Sequence, residues 1–268
     1  MENYICKTCG TQYAETPTPP DECLICSDER QYIGWGGQQW ATLEELRREY
    51  RNQIKVEEPN LIGIGAVPGF AIGQRALLVQ SPAGNILWEC QTILDDETIK
   101  AVKDLGGISA IAFSHPHFYS TMAEWSRAFD HAAIYIHADD RKWVMRPDPA
   151  IKFWEGETHQ LQEGLTLIHC GGHFAGSSVL HWAAGAQGRG ALLTGDTIYV
   201  VTDRRYVSFM TSFPNLLPLS APAVRKIVAA VEPFDYDRIY SAWFDRVVFK
   251  DAKQAVLTSA ERYIKAIG

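Results

Sequence analysis

Two Cys-x-x-Cys pairs lie within the first 26 residues of a 268-residue chain, and they constrain its N-terminus more tightly than any other feature. Cys6-Lys7-Thr8-Cys9 and Cys23-Leu24-Ile25-Cys26 have the spacing that turns two thiolates onto one ion. Two such pairs complete a tetrahedral four-sulfur site. A segment this short has little core of its own, so metal binding would supply most of its folding free energy. Gly10 follows the first pair, where a knuckle often needs an unusual backbone angle. Four unrelated free cysteines, or a redox pair, fit the paired spacing less well. Four-thiolate geometry suits zinc or iron. Zinc is expected, in a closed structural site; iron, the alternative, would suggest electron transfer.

Composition narrows the class. Hydrophobic residues make up 46% and charged residues 21%, which excludes a mainly disordered, collagen-like or coiled-coil chain. The net charge is −7 with no long Lys/Arg run, which argues against a broad nucleic-acid surface. No apolar stretch approaches the roughly 18 residues of a membrane span. The start, Met1 to Lys7, lacks the charged and apolar regions of a signal peptide. The expectation is a cytoplasmic protein with reduced thiols, acting on a small molecule, without nucleic-acid or membrane partners; a homo-oligomer stays open.

Along the chain, residues 1–35 form the expected cysteine knuckle, 36–59 a linker with a short helix, and 60–268 the main domain. Thr42 and Glu45 are spaced as a capping box for a helix over 42–50. Residues 76–80 and 86–90 read as a hairpin. Asp95 or Asp96 can cap a helix to about Leu105. Residues 109–114 form a strand candidate, and Thr121 with Glu124 forms a second possible capping box. Strands follow near 133–137, 165–169, 177–182, 190–194 and 238–243, with helices from Ser220 and at the C-terminal end. The interleaving indicates an α/β or α+β core.

The catalytic signal is a histidine and aspartate set. Ser114-His115-Pro116-His117 follows a buried strand, and an H-x-H pair there puts two imidazoles on the same side of an extended backbone. Gly172-His173-Phe174-Ala175-Gly176-Ser177 and Thr194-Gly195-Asp196 likewise lie near strand ends and loops. Three neutral imidazoles and a carboxylate suit a catalytic divalent metal. His131, His137, His159, His169 and His181 read as surface or satisfied histidines.

This order, H-x-H, then G-H-x-x-G-S, then T-G-D, resembles the metallo-β-lactamase fold superfamily over roughly residues 60–268. The N-terminal stretch resembles the rubredoxin-like knuckle of rubrerythrins and zinc ribbons. The first resemblance implies an α+β four-layer αββα sandwich with metal at one edge between two sheets. It implies that His115, His117, His173 and Asp196 are metal ligands. The family's usual H-x-H-x-D-H is broken here: Tyr119 stands at the Asp and Ser120 at the third His. Trp243 falls where the last histidine usually lies. One core metal, zinc, is therefore expected, not two.

A three-histidine metal activates water and polarises a carbonyl or phosphoryl oxygen. The leading expectation is a metal-dependent hydrolase of an ester, thioester, lactone or phosphoester. Asp196 would complete the ligand set or act as general base. The Tyr119 phenol could donate a proton, or its ring could fill the second metal's volume. Trp243 and Phe244 would make the pocket apolar, and Arg204 could bind a substrate anion. The alternatives are an iron-dependent oxidoreductase fed through the knuckle, and a non-catalytic metal- or ligand-binding protein.

Overall fold

The computed structural model describes residues 1–268 and divides into two compact units. The first comprises Met1–Ile136 and Arg141–Phe153; the second comprises His137–Asp140 and Trp154–Gly268. No helix is long and apolar enough to cross a membrane.

The first unit is organised on a seven-stranded sheet. Its spatial order is Arg51–Glu58, Leu61–Val67, Arg75–Val79, Ile86–Trp88, Ala110–Ala112, Ala133–His137 and Ile151–Trp154. The first four strands pair antiparallel. Ile86–Trp88, Ala110–Ala112 and Ala133–His137 run parallel. Parallel neighbours need a crossover, supplied by the helices Asp96–Asp104 and Met122–Ala128. The expected hairpin forms between Arg75–Val79 and Ile86–Trp88. Asp95 caps the first crossover helix by accepting the Thr98 N–H at 2.7 Å.

The Thr42–Glu45 capping box is present in both directions and opens the helix Leu43–Glu49. The second expected box does not form. The Thr121 hydroxyl contacts the Gln91 and Thr92 carbonyls, both at 3.0 Å, and Glu124 pairs with Arg146 at 2.6 Å. Tertiary partners outcompete the local cap. The strand Arg51–Glu58 lies in the stretch that reads as linker, because its residues are largely polar and exposed and its period-2 pattern is weak.

The cysteine segment is built into this unit. Ile5–Cys6 pairs with Trp40–Ala41, and Ile5 packs with Ala41, Leu46, Phe70 and Ile93. Thr92 Oγ1 donates to the Gly10 carbonyl at 3.2 Å, and the Gln12 N–H donates to the Ser120 carbonyl at 3.1 Å.

The second unit carries a six-stranded sheet: Thr158–Gln162, Leu165–His169, Ser178–Trp182, Ala191–Gly195, Arg238–Ser241 and Val247–Val248. Ala191–Gly195 and Arg238–Ser241 are parallel, and the connection between them contains the helix Ala221–Val231. Ser220 caps that helix, as its position suggests. Val224, Ile227 and Val231 pack with Leu192, Ile239 and with Val256 of the helix Ala252–Ile267.

Gly10 tests the docking of the knuckle. Its φ is +82°, and an added Cβ would lie 2.3 Å from Thr92 Oγ1. Gly37 has φ +77° with nothing within 4 Å of such a Cβ. Gly10→Ala should therefore cost about 3 kcal/mol, left-handed strain plus overpacking, against about 1 kcal/mol for Gly37→Ala. Chemical denaturation of both variants checks this; equal losses would contradict the close approach.

Candidate metal centres

The four cysteines of the knuckle come together. Their sulfurs lie within 4.8 Å of one another, and all four residues are buried. Cys6 Sγ is 3.6 Å from Cys26 Sγ, and Cys9 Sγ is 3.6 Å from Cys23 Sγ. A disulfide would need about 2.05 Å. Sulfurs on a tetrahedral ion with 2.3 Å bonds sit roughly 3.8 Å apart, so the observed spacing fits a metal. Burial pushes the Cys9 thiol well up, while neighbouring sulfurs, Cys23 first, pull Cys6 down. A cation among these sulfurs would favour their thiolate forms. Gln38 Nε2 donates to Cys6 Sγ at 3.2 Å and the Tyr13 hydroxyl to Cys23 Sγ at 3.5 Å, which orients the sulfurs.

In the first unit, the H-x-H motif follows the parallel strand Ala110–Ala112. His115 is extended, with φ −170° and ψ 173°, and a 3-10 turn over Pro116–Phe118 brings His117 back towards it. The two imidazole centroids are 5.0 Å apart, and both residues are buried. Ser114 Oγ lies 2.7 Å from His115 Nδ1. A partner on Nδ1 fixes the ring and presents Nε2 as the ligating nitrogen. The turn closes through Ser120, whose φ is +43°. Its carbonyl accepts the Gln12 N–H, and its hydroxyl accepts a hydrogen bond from Gln74 Nε2 at 3.1 Å. The substituted position therefore has a structural partner on the knuckle.

In the second unit, His173 sits in a tight loop after Leu165–His169. Gly172 has φ +88°, and a Cβ there would meet Ile227 at 2.9 Å. Ser177 closes the loop: its hydroxyl accepts the Phe174 N–H at 2.7 Å, and its carbonyl accepts the Cys170 and Gly171 N–H groups. His173 Nδ1 lies 2.9 Å from the Met210 carbonyl. A carbonyl only accepts, so the proton is on Nδ1 and Nε2 keeps its lone pair. Asp196 follows the strand Ala191–Gly195. Burial pushes its carboxyl up to about 8.

The remaining candidates divide. Tyr119 is buried, with its ring edge-on to Phe113 at 5.0 Å. Trp243 and Phe244 line an open cleft of about 590 Å³ with Tyr199, Asp245 and Arg246. Arg204 lines a different cleft, of about 750 Å³, beside Arg205, Phe249 and Lys250. These two clefts share no lining residue, so Arg204 is not grouped with Trp243. The sequence reading singled out neither Tyr199 nor Phe213. Tyr199 is 4.6 Å from Phe213 and 5.4 Å from Trp243 by ring centroid, and Phe213 is 6.0 Å from His173. Only the aromatic richness of 197–214 hinted at this wall.

His181 has the satisfied role expected of it, with Nε2 2.8 Å from the Asp235 carbonyl. His137 and His169 are hydrogen-bonded too, His169 Nε2 to the Ala175 carbonyl at 2.8 Å and His137 Nδ1 to the Asp139 N–H at 3.3 Å. Their rings stack at 3.9 Å, and with Asp139 they form a third candidate donor group. Burial first, and then His169, lowers the proton affinity of His137.

The chain has a metallo-β-lactamase-like fold with mixed sheets and helices, and a four-cysteine cluster at its N-terminus. VMB-1 matches with a TM-score of 0.61 at 11% identity, over 81% of this chain and 99% of that one. The metallo-β-lactamase FIM-1 of Pseudomonas aeruginosa, in its mono-zinc form, matches at 0.59 and 16%, over 79% and 95%. DIM-1 metallo-β-lactamase matches at 0.59 and 12%, over 81% and 99%. At such identities the likeness establishes the fold alone. No family model matches the chain. In sequence, it is 53% identical over 269 residues to the uncharacterized protein YmaE of Bacillus subtilis, covering 100% of this chain and 97% of that protein. The chain belongs to the same family as YmaE.

The knuckle is directly testable. Cys23→Ser should lose one metal equivalent by elemental analysis and lower the melting temperature by about 5 °C or more, at roughly 2–4 °C per kcal/mol. Unchanged metal content and melting temperature would remove the metal from this cluster.

Proposed function

We propose that this chain is a metal-dependent hydrolase whose core site holds one zinc ion between His115, His117, His173 and Asp196. The observation that carries the reading is the donor set itself: three imidazoles and one carboxylate, all buried, His115 and His117 in the first unit and His173 and Asp196 in the second. The partners on His115 Nδ1 and His173 Nδ1 support it, because they present Nε2 of each ring to an ion. Tyr119, Ser120 and Trp243 supply none of the ligands that a second ion would need, which favours a single ion. The knuckle zinc is structural, since four sulfurs leave no open position.

When bound, a metal on such a set lowers the pKa of water and polarises a carbonyl or phosphoryl oxygen. The protein's part is placement and proton handling. His115, His117 and His173 act as neutral ligands. Asp196, ionised beside a cation, completes the set or accepts the proton of the attacking water. Tyr199, Phe213 and Trp243 form an aromatic wall that excludes water and packs against the apolar part of a small substrate. The substrate class is an ester, thioester, lactone or phosphoester. The Tyr119 ring, packed on Phe113, fills space that a second ion would take; its hydroxyl as a proton donor is the competing role, and Tyr119→Phe separates the two.

The test is a turnover screen over those four bond classes with the zinc-loaded protein. His115→Ala and Asp196→Asn should lower kcat/KM by about 10³-fold or more, roughly 4 kcal/mol of transition-state stabilisation. His115→Ala should also lose one zinc. Trp243→Ala should raise KM with a smaller effect on kcat. Turnover that survives His115→Ala unchanged would overturn the assignment.

A further inference from the structure

We propose that His137, Asp139 and His169 form a separate divalent-metal site that braces the loop carrying His173. One donor atom from each residue lies within 4.8 Å of the other two. Asp139 Oδ2 is 3.7 Å from His137 Nδ1 and 3.9 Å from His169 Nε2. Both separations exceed the 2.7–3.2 Å of a hydrogen bond, so the carboxylate bonds directly to neither ring. They are close to the roughly 3.3 Å between donors on a tetrahedral ion with bonds of about 2.0–2.1 Å. The carboxylate is thus near both imidazoles without a hydrogen bond to either.

The surroundings suit an ion that enters from solvent. Both imidazoles are largely buried, their side chains 5% and 10% exposed, and their rings are held parallel at 3.9 Å. Trp154 packs edge-on to His137 at 4.6 Å and fixes that ring. The Asp139 side chain is 55% exposed and can swing over the pair. Rotation about the soft imidazole torsion turns the two nitrogens towards a shared ion. A 3.3 Å contact from the Asp139 N–H to His137 Nδ1 is long and weak enough to yield. His169 Nε2 now donates to the Ala175 carbonyl at 2.8 Å. Taking an ion at Nε2 moves that proton to Nδ1 and leaves the carbonyl beside the ion as a fourth, oxygen donor. Two imidazoles, a carboxylate and a carbonyl suit zinc.

The position gives the site a role. Ala175 belongs to the His173 loop, and Asp140, next to the ligand Asp139, accepts the Gly176 N–H of that loop at 2.9 Å. An ion here would tie the segment His137–Asp140 to the strand Leu165–His169 and to the loop between Gly171 and Ser177, all within the second unit. This inference does not rest on the hydrolase reading.

Zinc titration of the purified full-length protein, by calorimetry and thermal melting, tests it. The wild type should take up one equivalent beyond the tightly held metal, with a rise in melting temperature. Asp139→Asn, at an exposed position with little part in folding, should weaken that uptake at least about tenfold, and His169→Gln should abolish it. His181→Gln should behave as wild type. His115→Ala should keep this equivalent even when the core zinc is lost, which separates the two sites. No additional uptake by the wild type, or the same uptake by Asp139→Asn, would overturn the proposal.

Discussion

Four cysteine sulfurs buried within 4.8 Å of one another form a group that could hold a metal ion, and the contacts around it organise the first unit of the protein. A metal there would fix the backbone from Cys6 to Gln12. Gly10 is then pressed against Thr92, and the Gln12 N–H reaches the Ser120 carbonyl. Ser120 is held at a positive φ, a conformation that costs about 1–3 kcal/mol for a residue other than glycine. The knuckle and Gln74 hold it there, and His115 and His117 lie on the turn it closes. The knuckle is thus a brace for the H-x-H turn.

The second unit solves the same problem without sulfur. A histidine in a glycine-rich loop has freedom that a ligand cannot keep. Ser177 removes it by bonding to the loop from inside, and the Met210 carbonyl fixes the ring tautomer. Asp196 is carried by a buried parallel strand, so its carboxyl is placed by the sheet. Burial raises its pKa. In both units rigid backbone and partners on Nδ1 present the donors, which is what a site needs if it is not to reorganise during reaction.

Much of this was legible in the residues. The two Cys-x-x-Cys pairs, the H-x-H turn, the G-H-x-x-G-S loop and T-G-D announce local chemistry through spacing, and the metallo-β-lactamase-like fold followed from their order. The helix caps at Thr42, Asp95 and Ser220 are equally local. What escaped the reading depends on distant partners. Thr121 looked like a helix cap but contacts carbonyls about thirty residues away. Arg51–Glu58 looked like linker because a polar, exposed strand has little hydrophobic alternation. His137 and His169 looked unremarkable singly, and only the fold stacks them. Tyr199 and Phe213 form a wall only once the loop between them has closed.

The central claim is that one ion sits among His115, His117, His173 and Asp196 while another is enclosed by the four cysteines. Anomalous diffraction at the zinc edge from crystals of the zinc-loaded protein tests it most directly. The account predicts one strong peak within bonding distance of those four core side chains and one at the centre of Cys6, Cys9, Cys23 and Cys26. A core without a peak, or with two peaks there, would contradict it.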